Sequence, residues 1–272
     1  MFNTDMADER VDEYKKVHNL TDVDGIKVEK KDYEDFSVVK VDVLNDNGAK
    51  SIDKEIGTYI TYEINDVNYV DNIDKICESL TNELNSFVNE KESVMVVGLG
   101  NIYITPDALG SRVIKNIEVT RHIMKLSKDL DLDNIREVSA FCPGVMGNTG
   151  IGSTEIVEAV SKIVNPNVII VIDSLITNSI HRVGNSIQLS NTGISPGSGI
   201  TNANRKISKE STGAQIISIG VPMVLDISGI LDEKIDNYIV TPKDVDDTLF
   251  TMSEIISKSI NNAMWLLQIW MC

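Results

Sequence analysis

Aromatic residues make up only 5% of this 272-residue chain, so isoleucine, valine, leucine and methionine must fill whatever core it forms. Cysteine is equally sparse. Cys77, Cys142 and Cys272 are odd in number and include no CxxC pair, so neither a disulfide framework nor a zinc cluster is indicated. The histidines, His18, His122 and His181, lack metal-ligand spacing. No apolar run reaches the ~20 residues that span a bilayer. The nearest approach, AMWLLQIWMC at 263–272, is about half that length and is expected to be the buried end of a helix or an oligomer contact. The start, MFNTDMADERVDEYKK, is charged and has no apolar stretch of the secretory kind, so a reducing, cytoplasmic home is expected. Basic residues are in the minority, 25 Lys and Arg against 41 Asp and Glu, for a formal net charge of −16. That charge repels nucleic acid and suits a neutral or basic protein partner, or serves solubility alone.

What is present is an ordinary globular balance, 42% hydrophobic and 24% charged. Between Gly25 and Ile64 the segments GIKVEK, FSVVKVDVL and GTYITYEI alternate apolar with polar residues and predict short antiparallel strands with one wet face. A helix is expected from about Asn72 to Val88. From Ser93 onward, near-continuous apolar segments, SVMVVGLG, REVSAFCPG, NVIIVIDSL and QIISIGVP, alternate with helix candidates at Pro106–Leu126, Ser153–Val164 and Pro242–Leu267. The pattern predicts an α/β fold: a mostly parallel sheet with helices on both faces, plus a small N-terminal antiparallel β-rich extension. Residues 1–90 are expected to form the extension and 91–272 the α/β core. The polar segment from Asn178 to Ser211 reads as a long loop of the kind that is usually functional.

Ligands of such sheets gather at the carboxyl ends of the strands. Two acidic residues fall there. In VVGLGNIYITPDALG a buried strand ends at Gly98-Leu99-Gly100 and turns into a helix, with Thr105 suited to the N-cap, Pro106 to the first position and Asp107 to the first turn. A P-loop would need Gly-Lys-Ser/Thr after the glycines, and a dinucleotide fingerprint a third glycine where Tyr103 stands. Asp107 could equally be a helix-dipole carboxylate, and Asp173, at the end of NVIIVID, a cap for the next helix. Together, paired carboxylates cannot both ionise easily, so one holds a proton while the other activates water. Gly144 and Gly147 in CPGVMGNTGIGSTE permit close approach of another chain. QLSNTGISPGSGITNANRK, from Gln188 to Lys206 and including Gly197, Ser198 and Gly199, is a candidate substrate or oxyanion loop. Cys142 lies at a strand end with no histidine near it in sequence, and His122 reads as a helix-surface or core residue.

The words GLGN, TPDALG, VTRH, PGVMG, TGI, the Ile-Asp strand end at Asp173, SNTGISPGSG and IGVP occur in the order seen in the bacterial spore germination protease family, which the chain resembles from about Thr4 to Met264. The resemblance implies an endopeptidase that degrades small acid-soluble spore proteins during germination, with a fold similar to hydrogenase maturation proteases. It implies Asp107 and Asp173 as catalytic aspartates, Gly98, Gly100 and Asn101 shaping the site's floor, and no metal or other cofactor. It further implies a precursor that removes its own N-terminal segment. The matching stretch is Thr4-Asp5-Met6-Ala7-Asp8-Glu9, cut between Asp5 and Met6, and it is similar to the acidic-apolar-Ala sequence of the substrates. A homo-oligomer, a tetramer, in the forespore or spore core follows from the same resemblance, without membrane or direct nucleic-acid contact. The chain departs from the family pattern in having Ser195 where a histidine is expected, only five residues before the cut, and a shorter link from Asp226 to Val240. Two alternatives stand beside this reading: a metal held by the same carboxylates, as in the maturation proteases, and a non-catalytic sporulation protein that retains the fold.

Overall fold

The computed structural model describes residues 4–70, 72–126, 135–194, 206–227 and 239–265. The N-terminal third contains α1 (Ala7–His18), β1 (Ile26–Asp32), β2 (Phe36–Val43), α2 (Asp46–Ile52), β3 (Gly57–Ile64) and α3 (Ile73–Phe87). There follow β4 (Val94–Gly98), a 3-10 turn at Thr105–Asp107, α4 (Leu109–Ile114), α5 (Arg121–Leu126), β5 (Val138–Phe141), α6 (Met146–Thr149) and α7 (Ser153–Val164). The remainder is β6 (Val168–Thr177), β7 (Ser186–Ser190), α8 (Lys209–Thr212), β8 (Gln215–Asp226), β9 (Ile239–Val240) and α9 (Val245–Met264).

All the described strands join one sheet in the order β1-β2-β3-β7-β8-β6-β4-β5, with β9 added to β8. The fold is α/β, as the alternation of strands and helices predicts. Its parallel part is the run β8-β6-β4-β5. There the strands are apolar on both faces: every residue of β4 and the VIIVI of β6 are buried. The sheet as a whole is mixed, because β1–β3 are antiparallel, as expected of the N-terminal extension. They continue the same sheet through β7, which pairs antiparallel with both β3 and β8. β7 lies inside the segment expected to be a loop. Its sequence SIQLS is too polar to read as a core strand, yet all five side chains are buried. A bridge between Ile194 and Ile207 and the short α8 also occupy that segment.

Helices cover both faces. On one, Ile76, Leu80 and Leu84 of α3 and Met252, Ile256 and Ile260 of α9 recur at helical spacing and pack on Val94, Val96, Ile170, Ile172, Ile217 and Ile219. The same cluster includes Phe36, Ile60 and Tyr62, so one core runs beneath the N-terminal strands and the parallel ones alike. On the opposite face α7 contributes Val157 against Val97, Ile169 and Val171. Beside it, α1 and α2 close over Val39, Val41 and Val43. Ala263 and Met264 are buried as the end of α9, and the apolar tail from residue 266 onward lies outside the described residues.

The helix expected over 106–126 is broken into three pieces. Tertiary partners take the backbone groups that a continuous helix would use: Glu118 N–H donates to Asn261 Oδ1 (3.1 Å) and Thr120 N–H to Val138 O (3.0 Å). Thr120 Oγ1 also accepts from Val138 N–H at 2.8 Å, tying this turn to the edge strand.

Candidate active site

The site begins where β4 stops. Gly98 is the last β4 residue, paired with Ile172 of β6, and Leu99 N–H still donates to Ile172 O at 2.8 Å. A Cβ on Gly98 would lie 2.3 Å from Gly110 O, so the glycine lets the start of α4 press against the strand end. Gly100 then turns the chain with φ +94°, and a Cβ there would meet Asp107 O at 2.0 Å. The tight return places Asp107 Oδ2 to accept from Asn101 N–H at 2.8 Å. Thr105 does not cap a helix. It opens the 3-10 turn, and Asp107 N–H donates to Ile104 O (2.8 Å). Asn101 Oδ1 accepts from Tyr103 N–H (3.1 Å) and Asn148 Nδ2 (3.2 Å), which brings α6 against the same turn.

Because β4 ends opposite Ile172, Asp173 is the first β6 residue beyond the paired edge of β4, although β6 itself continues along β8 to Thr177. Its side chain is 7% exposed, and Oδ1 accepts from Ser174 N–H at 3.0 Å. Burial pushes the Asp173 carboxyl well above the usual carboxylate range, and the charges of Asp107 and Asp5 push it further against the Ser174 N–H. Burial also raises Asp107, opposed by the Asn101 N–H. The charge of Asp107 thus reaches the buried Asp173 carboxyl and, with burial, favours its protonated form.

The N-terminal segment comes to the same end of the sheet. Asp5 N–H donates to Ile176 O and Ile176 N–H to Asp5 Oδ2, both at 2.9 Å. Asp5 O accepts from Lys54 Nζ at 2.8 Å and from Gln188 Nε2 at 3.1 Å, while Gln188 Oε1 accepts from Ala7 N–H at 2.7 Å. Met6 and Ala7 are fully buried. Further on, Asp8 pairs with Arg182 at 2.8 Å. Glu9 receives hydrogen bonds from Thr4 Oγ1, Thr177 Oγ1 and Asn178 N–H and lies 3.5 Å from Arg182 Nη1. Burial pulls the Lys54 ammonium below the usual lysine range, against the charge of Asp5.

Of the residues singled out in the sequence, Gly98, Gly100, Asn101, Asp107, Asp173, Asp5 and Met6 thus share one end of the sheet. Gly144 adopts φ +74° beside Thr149 in the neighbouring loop, whereas Gly147 is exposed with nothing within 4 Å of a Cβ. Gly197, Ser198, Gly199 and Ser195 lie outside the described residues. His122 is on the exposed face of α5, and Cys142 is an exposed free thiol. Among the described residues no group of three or more His, Cys, Asp or Glu is arranged to hold a metal ion, and no helix is long and apolar enough to cross a membrane. Lys54 and Arg182 gave no signal, since each is a lone cation in a polar stretch. Gln188 opened the segment marked as an oxyanion loop but stands on β7, not in a loop.

A family model described as germination protease matches residues 3–239. A germination protease from Clostridium perfringens (strain SM101 / Type A) is 35% identical over 312 residues, covering 97% of this chain and 96% of that protein. One from Priestia megaterium is 39% identical over 228 residues, 81% of this chain and 61% of its own. Among solved structures, the [NiFe] hydrogenase maturation protease HycI from Thermococcus kodakarensis KOD1 aligns with 65% of this chain and 98% of its own at 15% identity and a TM-score of 0.37.

Proposed function

The chain belongs to the germination protease family and is a peptidase, and from that premise we propose that Asp107 and Asp173 are its catalytic acid–base pair. The observation that carries this reading is the placement of both carboxyls at the carboxyl end of β4 and its neighbour β6, where burial raises each of them and the charge of Asp107 raises Asp173 further. Asp173, the more buried, keeps the proton. Asp107, held by Asn101 N–H, is ionised and takes a proton from the attacking water, while Asp173 protonates the departing amine. The substrates are small acid-soluble spore proteins degraded during germination. The chain is a precursor that cuts itself between Asp5 and Met6. Burial of Met6 and Ala7, with Asp5 bonded to Ile176 on β6 three residues beyond Asp173, supports this, because the segment matching the substrate sequence is already docked at that end of the sheet. Assembly as a homo-oligomer, a tetramer, in the forespore or spore core belongs to the same reading.

The test is mass spectrometry of a purified small acid-soluble spore protein incubated with the wild-type chain and with Asp107→Asn and Asp173→Asn. Discrete fragments from the wild type only are the expected result. Cleavage that persists in both variants removes the aspartate mechanism.

A further inference from the structure

The peptide bond between Asp5 and Met6 is held by two side chains that nothing in the aspartate mechanism uses. Gln188 grips the backbone on both sides of Met6: its amide nitrogen donates to Asp5 O at 3.1 Å, and its amide oxygen accepts from Ala7 N–H at 2.7 Å. Such contacts read main chain and not side chain, so they suit any extended peptide laid across the site. Asp5 O takes a second bond, from Lys54 Nζ at 2.8 Å. Two donors, one of them cationic, thus converge on the carbonyl oxygen of the bond expected to break. This is the arrangement that stabilises negative charge developing on that oxygen. Gln188 also stands in register with the catalytic row. On β7 it pairs with Gly220 of β8, and Gly220 pairs in turn with Asp173 of β6. Paired residues point to one face, so Gln188 and Asp173 rise from the same side of the sheet, two strand spacings or roughly 10 Å apart. Gly220, between them, has no side chain of its own.

We propose that Lys54 and Gln188 are the carbonyl-binding clamp of the cleavage centre, with Gln188 fixing the peptide across the scissile bond and Lys54 stabilising the oxyanion. The proposal rests on the protease reading above. In the reaction, water oxygen bonds to the Asp5 carbonyl carbon and the carbonyl π pair moves onto oxygen, where the Lys54 N–H and the Gln188 N–H receive it. The water proton passes to ionised Asp107. Collapse of the intermediate breaks the Asp5–Met6 C–N bond as protonated Asp173 gives its proton to Met6 N, leaving a carboxyl on Asp5 and an amine on Met6. In cleavage of another protein, the incoming peptide takes the place of residues 5–7 on the same two side chains.

Self-cleavage of the full chain is a single-turnover reaction and tests this directly. The rate of loss of residues 1–5 is followed by mass spectrometry in the wild type, Lys54→Met, Lys54→Arg and Gln188→Leu. Hydrogen–deuterium exchange of the peptide covering residues 4–14 reports in parallel whether the segment stays docked. Lys54→Met is expected to slow cleavage by about 100-fold or more with the segment as protected as in the wild type, and Lys54→Arg to recover part of the rate. Gln188→Leu is expected to lose both rate and protection, because it removes the Ala7 contact as well. A Lys54→Met chain that cuts itself at the wild-type rate, or slows only in proportion to lost protection, overturns the clamp and makes Lys54 a latch for the N-terminal segment. A wild-type chain that cuts neither itself nor an added small acid-soluble protein is a different failure: it removes the protease reading, and the clamp with it.

Discussion

At the scale of single residues, the role proposed for Asp173 sets function against stability. Its folded pKa is raised, so its burial costs nothing at a pH below the unfolded value of about 3.9, and the cost grows as pH rises toward the folded value. Asp173→Asn removes that ionisation while keeping the shape of the side chain. The variant is expected to melt a few degrees above the wild type at about pH 7.5 and to show little difference near pH 4, as followed by thermal unfolding at the two pH values. Equal differences at both would mean that Asp173 is ionised without penalty. Gly100 is the complementary case, a residue chosen for what it lacks. With φ +94° and Asp107 O 2.0 Å from where a Cβ would stand, Gly100→Ala is expected to cost about 2–4 kcal/mol and to displace Asp107. Urea unfolding measures the cost, and loss of cleavage reports the displacement.

Helix α1 is an element that its own sequence does not account for. ADERVDEYKKVH is charged throughout, and an isolated helix of this length is marginal in water. Tertiary contacts hold it: Ala7 and Val11 are buried against the strands, and Arg182 pairs with Asp8 and approaches Glu9. The same guanidinium pairs with Glu63 of β3, so one cation joins three carboxylates from two elements. Arg182→Met strands the buried Asp8 and Glu9 and is expected to weaken docking of α1 by roughly 3–5 kcal/mol. Faster hydrogen exchange over residues 7–18, with α9 unchanged, is the outcome that checks it. Unchanged exchange would mean that the apolar contacts of Ala7 and Val11 suffice.

For the whole molecule, the continuous sheet and the core shared by Phe36, Tyr62, Ile172 and Met252 argue that the N-terminal strands and the parallel strands form one cooperative unit. Ile187 on β7 is fully buried at the junction between them. Ile187→Ala is expected to destabilise by about 2–5 kcal/mol and to lower a single transition seen alike by circular dichroism and tryptophan fluorescence. Separate transitions would divide the chain near residue 90. The proposed acid–base mechanism also sets a pH dependence for the molecule. Activity is expected to fall as pH rises through the elevated Asp173 value, because the proton that the leaving amine needs is then gone. A pH profile of kcat/KM checks this.

By itself the sequence determined the alternation of apolar strands with helices, the bounds of α7 at Ser153–Val164, the glycine turn before Asp107, and the words that identify the family. These are local properties. A strand buried on both faces is written as a run of apolar residues, and a tight turn as a glycine, whatever lies across from it. Only the tertiary structure decided that β1–β3 continue the parallel sheet, that polar SIQLS is the strand joining them, and that α1 packs on the face carrying Asp173. It alone brought Lys54 and Gln188 to one carbonyl, from positions 49 and 183 residues away from Asp5. The physical reason is that a buried polar side chain is stable only with a partner. For Lys54, Gln188 and Arg182 that partner is distant in the chain, so no window of neighbouring residues contains it.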